Sequence, residues 1–152
     1  MAWYDEINIE KSMKSWLDSK NYVKEIPKAD ELHGVDIQRR NVQKCRYWFI
    51  EAKGDPSKIY VKGPKKGRKK SLQTICSQRY SWFTCAIGQI AMRMYQKNGQ
   101  YGVVFPKIDY FEKKSLELKL FRQRSKINFF LIDDNENIFQ LTPSAKEYKK
   151  VD

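Results

Sequence analysis

Residues 33–55 read HGVDIQRRNVQKCRYWFIEAKGD, and this stretch decides the fold that the sequence predicts. A short apolar segment around Asp36 predicts a strand over residues 34–39, with Asp36 on the opposite side from its apolar neighbours. A polar, turn-like interval follows, and the aromatic residues 46–52 are typical of a central strand. Consecutive strands of this kind can pair, so acidic residues near their ends can lie side by side.

The remaining chain predicts an α/β fold: a mixed central β-sheet flanked by helices. Helical spacing of apolar residues marks three further segments, and short β-prone runs mark the other strands. In order, the chain predicts a helix over 5–20, a strand over 22–27, the strands 34–39 and 46–52, a helix over 71–97 that could break near Cys76, a strand over 101–105, a helix over 111–126, strands over 127–132 and 137–141, and a surface tail from Thr142. Residues 1–152 form one domain, with a C-terminal helix and hairpin at about 111–141.

The net charge of the chain narrows the kinds of partner that it is expected to bind. The chain has 30 Lys and Arg against 18 Asp and Glu, a net charge of +12. An excess of this size favours polyanionic partners, above all nucleic acid, with a membrane surface as the competing polyanion. No apolar run approaches the roughly 20 residues that span a bilayer, so no membrane-spanning segment is expected, and the predicted partner is DNA and not a membrane.

The cysteines and the N-terminus indicate the compartment. Cys45, Cys76 and Cys85 are an odd number without metal-ligand spacing, and they predict reduced, mostly buried thiols. The N-terminus lacks the basic-then-apolar order of a signal peptide. Both features favour a cytoplasmic protein.

A basic loop, residues 56–71, carries much of the excess charge. Seven basic residues and no acidic one lie between Lys58 and Lys70. One interpretation is a solvated, mobile loop, and the other is a flexible flap that contacts nucleic-acid phosphates. The predicted phosphate-contacting residues are Lys62, Lys65, Lys66, Arg68, Lys69, Lys70 and, outside the loop, Arg79.

Asp36, Glu51 and Lys53 form the candidate catalytic group. If the ends of their strands coincide, two carboxylates converge, and a divalent cation relieves their repulsion. Mg²⁺ prefers such hard oxygen ligands, with the Ala52 carbonyl available as another and Mn²⁺ as a substitute metal. Lys53 points to the same side as Glu51 and can contact a phosphoryl oxygen. This equipment suits phosphodiester hydrolysis.

These residues resemble the restriction-endonuclease-like PD-(D/E)XK nuclease superfamily, whose signature is an Asp, a gap, and Asp/Glu-x-Lys on adjacent strands. The resemblance covers residues 6–105 and implies that superfamily's αβββαβ core. Asp36 matches the Asp, and Glu51-Ala52-Lys53 matches the Glu-x-Lys. The Pro that usually precedes the Asp is Val35 here, which weakens the motif but leaves the carboxylate.

The same resemblance implies two helical residues. A glutamate of the first helix is similar to the metal-assisting glutamate of archaeal Holliday-junction resolvases, with Glu10 the first choice and Glu6 the second. Gln89 is similar to a helix glutamine near the site in several of these families. Arg79 and Arg93 flank that glutamine, where phosphate contact is possible.

The sequence therefore predicts a Mg²⁺-dependent deoxyribonuclease: an endonuclease acting on duplex or branched DNA, with a homodimer possible. The alternative is a nucleic-acid-binding protein without catalysis that uses the basic loop. A third class, a subunit-docking or scaffold protein, has no positive support in the sequence. The structural alternative to a metal site is an exposed salt-bridge ladder of Glu51 with Lys53 or Arg39. His33, the only histidine, offers little support for nucleophilic catalysis.

Overall fold

The computed structural model describes residues 2–24, 26, 32, 34–41, 43–44, 46–95 and 98–152. Within them the chain forms four helices and seven strands. The helices are α1 (Glu6–Ser19), α2 (Leu72–Ala91), α3 (Asp109–Glu117) and α4 (Lys119–Ser125), and the strands are β1 (Tyr22–Val23), β2 (Ile37–Asn41), β3 (Arg46–Ala52), β4 (Gly99–Pro106), β5 (Asn128–Ile132), β6 (Ile138–Leu141) and β7 (Lys149–Val151).

All seven strands belong to one mixed sheet in the order β1-β2-β3-β4-β5-β6-β7. The pairs β1·β2 and β2·β3 are antiparallel, β3·β4 and β4·β5 are parallel, and β5·β6 and β6·β7 are antiparallel. A parallel pair needs a crossover, and α2 lies in the connection from β3 to β4. The predicted α/β class with a mixed sheet is confirmed.

Each face of the sheet has its own apolar core, because the side chains of β3 alternate between the faces. On one face, α1 packs Ile9, Met13 and Leu17 against Trp48 and Ile50. These three helical residues are fully buried at spacings of four, which puts them on a single stripe. The helix therefore lies with a fixed rotation beneath β3.

The other face is covered by α2 and α3. Phe83, Ala86 and Ile90 of α2 pack over Phe49 and its neighbours on β4 and β5. Phe111 of α3 joins them, and its ring stacks on Phe105 with centroids 4.8 Å apart. This packing fixes the C-terminal end of α2 close to the end of β3.

Several predicted boundaries were wrong. The second strand starts at Ile37 and not at residue 34, so Asp36 immediately precedes it. α2 continues through Cys76 without a break and ends at Ala91 and not at residue 97; its N-cap is Ser71, whose side chain accepts a hydrogen bond from the Thr74 N–H at 3.1 Å. The helix predicted over 111–126 is divided in two at Leu118, where the backbone leaves helical geometry.

The C-terminal tail was also wrongly predicted as loose surface. β7 adds to the edge of the sheet, and the segment before it is held by Arg122, which is 1% exposed. Its guanidinium donates to the backbone carbonyls of Ser115, Thr142, Pro143 and Ala145. These contacts join residues distant in sequence, so local patterning gave no sign of them.

The burial predicted for the cysteines is wrong for two of the three residues. Cys76 and Cys85 are free thiols on the exposed side of α2, because the sheet-facing stripe of this helix runs through Phe83, Ala86 and Ile90. Cys45, His33 and the predicted strand end at Pro27 lie outside the described residues, as do residues 96 and 97 of the predicted helix. None of the described helices is both long enough and apolar enough to cross a bilayer.

Candidate active site

Asp36 and Glu51 lie opposite each other at the ends of β2 and β3. Ile37 pairs with Ile50, so the next pair along the register is Asp36 with Glu51, and both side chains point to the α2 face. The Asp36 Oδ2 atom accepts a hydrogen bond from the Ala52 backbone N–H at 2.9 Å. The structure thus brings together the two carboxyl groups, called here the carboxylate pair.

The two acids of the carboxylate pair repel each other when both are ionised. The pKa of Glu51 is raised from its ordinary 4.5 to about 8: burial is the largest cause, a hydrogen bond to Asp36 and repulsion by Asp36 act in the same direction, and Arg93 and Lys53 act in the opposite direction. Glu51 is 1% exposed, which explains why desolvation is the largest cause. Near neutral pH the pair therefore holds a proton, and this proton relieves the repulsion that a bound cation would otherwise relieve.

The donor set of the carboxylate pair fits Mg²⁺. The Oε1 atom of Glu51 is buried and has no hydrogen-bond partner, which is costly unless a ligand satisfies it. Among the described residues, no group of three or more His, Cys, Asp or Glu side chains is arranged to hold a metal. Mg²⁺ needs no larger group, because one or two carboxylates and several waters commonly suffice. The Ala52 carbonyl is a further oxygen next to Glu51.

Lys53 is held beside the carboxylate pair by the end of β3. Its backbone N–H donates to the Val104 carbonyl at 3.0 Å, so sheet pairing continues one residue past the strand. Its Nζ lies 3.4 Å from Oε1 of Glu6. Gly54 allows this approach, because a Cβ there would lie 2.5 Å from the backbone nitrogen of Glu6. The close packing of β3 on the start of α1 brings Glu6 to Lys53.

Glu6, the second choice from the sequence, is thus the α1 acid that contacts the Lys53 side chain. Glu10, the first choice, forms an ion pair with Lys14 one turn along α1. Lys14 and Asp36 both line an open cavity of about 520 Å³, together with Lys24 and Arg39. Glu10 is therefore linked to the surroundings of Asp36 only through its ion pair with Lys14, whereas Glu6 contacts Lys53 directly.

Arg93, which follows α2, approaches Glu51 more closely than its place in the sequence suggests. Its Nη1 atom donates to the Gln89 carbonyl at 2.7 Å and lies 3.7 Å from Oε1 of Glu51. The Gln89 side chain is exposed, and the contact that this residue makes with Arg93 is through its backbone. The sequence offered only one signal for Arg93, its position one helical turn after Gln89.

The basic loop folds back on itself. The backbone N–H of Tyr60 donates to the Arg68 carbonyl at 2.9 Å, and that of Lys70 donates to the Lys58 carbonyl at 2.8 Å. The ammonium groups of Lys65 and Lys70 lie over the Tyr60 ring, 5.6 and 5.8 Å from its centroid. Residues 61–69 are all exposed. The loop thus presents its charges on a hydrogen-bonded hairpin that extends directly from the strand carrying Glu51.

Arg79 has a partner of its own. Its guanidinium makes two hydrogen bonds to the Asp55 carboxylate, at 2.6 and 2.8 Å. Asp55 is buried, and this contact raises the pKa of Arg79. The ion pair joins the start of the basic loop to α2, so the fork of Arg79 that was predicted to contact phosphate is already occupied.

The arrangement can bind a divalent cation at two carboxylates and an anion at the neighbouring Lys53 and Arg93, beside an exposed cationic hairpin. This combination is suited to a phosphate ester whose charge increases during reaction. No protein-family model matches this chain, and neither the curated proteins nor the solved structures include a significant match to it.

Proposed function

We propose that the protein is a metal-dependent DNA endonuclease that hydrolyses phosphodiester bonds and requires Mg²⁺, with Mn²⁺ as a substitute. The observation that carries this proposal is the carboxylate pair: Asp36 and Glu51 meet on one face, and a buried oxygen of Glu51 lacks a hydrogen-bond partner. Lys53 next to them distinguishes the site from a simple cation-binding site, since it adds a donor for phosphate.

Asp36, Glu51 and the Ala52 carbonyl would hold the cation. When bound, Mg²⁺ supplies activation of water and withdrawal of electron density from the phosphate. Lys53 donates to a non-bridging phosphate oxygen and stabilises the negative charge that develops there. Glu6 keeps the Lys53 ammonium at the mouth of the site, because their 3.4 Å contact restrains an otherwise flexible side chain.

The order of elements supports a restriction-endonuclease-like core. α1 precedes the antiparallel strands β1, β2 and β3, and α2 then leads to β4, which is parallel to β3. This order agrees with the αβββαβ arrangement that the resemblance implies, and it supports the proposal. It matters chemically because the Asp of one strand and the Glu-x-Lys of the next must meet at one end of the sheet.

DNA is the proposed substrate because of the basic loop. Its exposed lysines and arginine can contact the phosphate backbone on either side of the scissile bond, and each such contact releases counterions. The Asp55–Arg79 ion pair fixes the base of the loop. Either duplex or branched DNA suits this surface, since the contacts expected from it are to phosphates and not to base edges.

A nucleic-acid-binding protein without catalysis is the second candidate. It is favoured by the fact that the basic loop is exposed and complete on its own, whereas only two carboxylates line the candidate metal site within the described chain. The two functions differ in their response to Asp36→Asn: a nuclease loses cleavage and cation binding, and a binding protein loses neither DNA affinity nor any cation-dependent property.

The test is cleavage of duplex, four-way-junction and single-stranded DNA with Mg²⁺ or Mn²⁺ by the wild type, Asp36→Asn and Glu51→Ala. We expect the variants to lose cleavage and the calorimetric Mn²⁺ site while keeping DNA affinity. Glu117→Gln, which removes an exposed carboxylate on α3, is the matched control and should cut normally. If no form of DNA is cut, or if Glu51→Ala cuts like the wild type, the nuclease proposal is wrong.

A further inference from the structure

Helix α2 presents an uncharged face to solvent. Eleven of its 20 residues are exposed, and none of the eleven is Lys, Arg, Asp or Glu. Charged residues make up 32% of the chain, so about a third of eleven residues of average composition would be charged. The single charged residue of α2 is Arg79, whose guanidinium is bound to Asp55. Loss of charge over a whole helix face is typical of the centre of a protein–protein interface.

An apolar groove continues this face between α2 and the helices α3 and α4. Its cavity of about 500 Å³ is lined mainly by aromatic and aliphatic side chains, and its two charged residues, Lys114 and Glu117, form an ion pair with each other. Tyr80 and Phe121 line the groove, and Tyr80 is 62% exposed. Leu120, which precedes Phe121, is 59% exposed. The groove, Leu120 and the exposed residues of α2 are called here the α2–α4 surface.

Gly88 lies in the α2–α4 surface without a reason inside this chain. It has helical backbone geometry, and a Cβ placed there would meet no atom within 4 Å. A glycine within a helix costs stability relative to alanine, because it loses more conformational freedom on folding. Neither the backbone nor the packing of this chain requires a glycine at this position. Close approach by another molecule would require one.

The charge of the molecule indicates which partner fits the α2–α4 surface. The chain carries a net charge of +12, and the exposed basic loop attracts polyanions and acidic partners to a different place. Two copies of the chain repel each other, and the repulsion is weakest where the surface is uncharged. A two-fold interface must also be self-complementary. The α2–α4 surface satisfies this condition, since it combines a groove with projecting side chains and its one ion pair is neutral.

The dimensions of α2 show that the groove has to take part. A helix of 20 residues is about 30 Å long and roughly 10 Å wide, so its exposed face covers about 300 Å². Each partner of a stable complex buries about 800 Å². Contact between two α2 helices alone would therefore be too small, and the groove and α4 must supply the remainder.

We propose that the α2–α4 surface binds the same surface of a second copy of this chain, forming a two-fold homodimer in which Gly88 allows the two copies to approach closely. The inference goes beyond the proposed function and does not depend on it, because dimerisation requires neither metal nor DNA. The interface is apolar and most charges lie outside it, so salt strengthens association by screening the repulsion between the two basic chains. Binding to DNA has the opposite salt dependence.

Sedimentation equilibrium of the full chain, without metal or DNA, tests the proposal. The wild type should form a dimer, with a smaller dissociation constant at about 0.5 M salt than at about 0.1 M. Gly88→Gln should weaken dimerisation about 10-fold or more, because the added side chain separates the two copies. The same variant should unfold at a higher temperature than the wild type where both are monomeric, since glutamine favours a helix more than glycine does.

Thr84→Lys tests the uncharged character of the interface. Thr84 lines the groove and is exposed, so the change adds a like charge to both halves of the interface and should weaken dimerisation about 10-fold or more. The matched control is Ser15→Lys, which adds the same charge to an exposed position on α1, on the other face of the sheet. It should dimerise like the wild type at about 0.5 M salt.

Several outcomes would overturn the proposal. A wild type that stays monomeric at about 100 μM would leave the α2–α4 surface to a different apolar partner. A dimer that weakens with salt would be held by charge pairs, and a dimer that neither Gly88→Gln nor Thr84→Lys weakens would use another surface. Equal weakening by Thr84→Lys and Ser15→Lys would show a general charge effect. Thermal unfolding identifies a misfolded Thr84→Lys, in which case Gly88→Gln decides. Absence of DNA cleavage or of Mn²⁺ binding overturns the proposed function and leaves these measurements unaffected.

Discussion

Glu51→Gln should stabilise the cation-free protein, and the gain should grow with pH. The pKa of Glu51 is raised from 4.5 to about 8 in the folded state. Its contribution to stability is therefore fully present below about pH 4.5 and is lost as the pH rises through 8. Glutamine has nearly the same shape, can still donate to the Asp36 carboxylate, and does not titrate.

The size of the effect follows from the same pKa. At pH 7 the folded protein keeps a proton on Glu51 that the unfolded chain releases, and at about 1.4 kcal/mol per pKa unit this costs about 3 kcal/mol. The cost approaches about 5 kcal/mol above pH 8 and disappears near pH 4. Glu51→Gln should therefore unfold at higher urea concentration than the wild type at pH 7, and at a similar concentration at pH 4.

The assay is urea unfolding at pH 4, 7 and 8.5 in EDTA, with Glu117→Gln as the control for removing an exposed carboxylate. Added Mn²⁺ should remove most of the difference at pH 7: at 100 times its dissociation constant it stabilises the wild type by about 2.7 kcal/mol and leaves Glu51→Gln unchanged. The difference in free energy of unfolding between Glu51→Gln and the wild type should grow with pH. If it is constant across pH, or shrinks as the pH rises, the reasoning about a buried, protonated Glu51 is refuted.

Three further predictions concern the rest of the fold. Arg122→Met should lower the free energy of unfolding by about 3 kcal/mol, measured in urea, because four backbone carbonyls lose their donor. Asp55→Asn should cost about 3 kcal/mol in thermal unfolding because it leaves the Arg79 guanidinium without its partner, and Asp55→Leu combined with Arg79→Met should recover most of that loss. Replacing Lys65 and Lys66 with Ala should reduce the slope of log affinity against log salt by about 2 in anisotropy titrations with duplex DNA, and an unchanged slope would remove the basic loop from the DNA-binding surface.

The basic loop shows how far composition carries a prediction. Its charge was evident from the sequence, and its basic residues other than the half-buried Lys70 are exposed in the structure. That the loop is a hairpin closed by hydrogen bonds between residues 58–60 and 68–70 was not evident, since glycine, proline and lysine in this order are equally typical of an open loop. The ion pair at its base involves residues 24 positions apart, and no local pattern marks such a contact.

The sequence by itself determined the central strand and the pairing of its acid. Residues 46–52 were predicted and observed as β3, because an aromatic and β-branched run has one low-energy arrangement in a sheet. The two-residue period of a strand then put Glu51 on the face opposite Ile50, and the short polar connection to β2 brought Asp36 across from it. These are consequences of local geometry, which a single chain segment encodes.

Only the tertiary structure decided which other residues meet that pair. Whether Glu6 or Glu10 reaches Lys53 depends on how α1 is rotated and where it starts, and the close approach at Gly54 settles both. Arg93 approaches Glu51 because the packing of Phe83, Ala86 and Ile90 sets the end of α2 over β3. Such contacts arise from the packing of whole elements against each other, and their energy is shared among residues far apart in the chain.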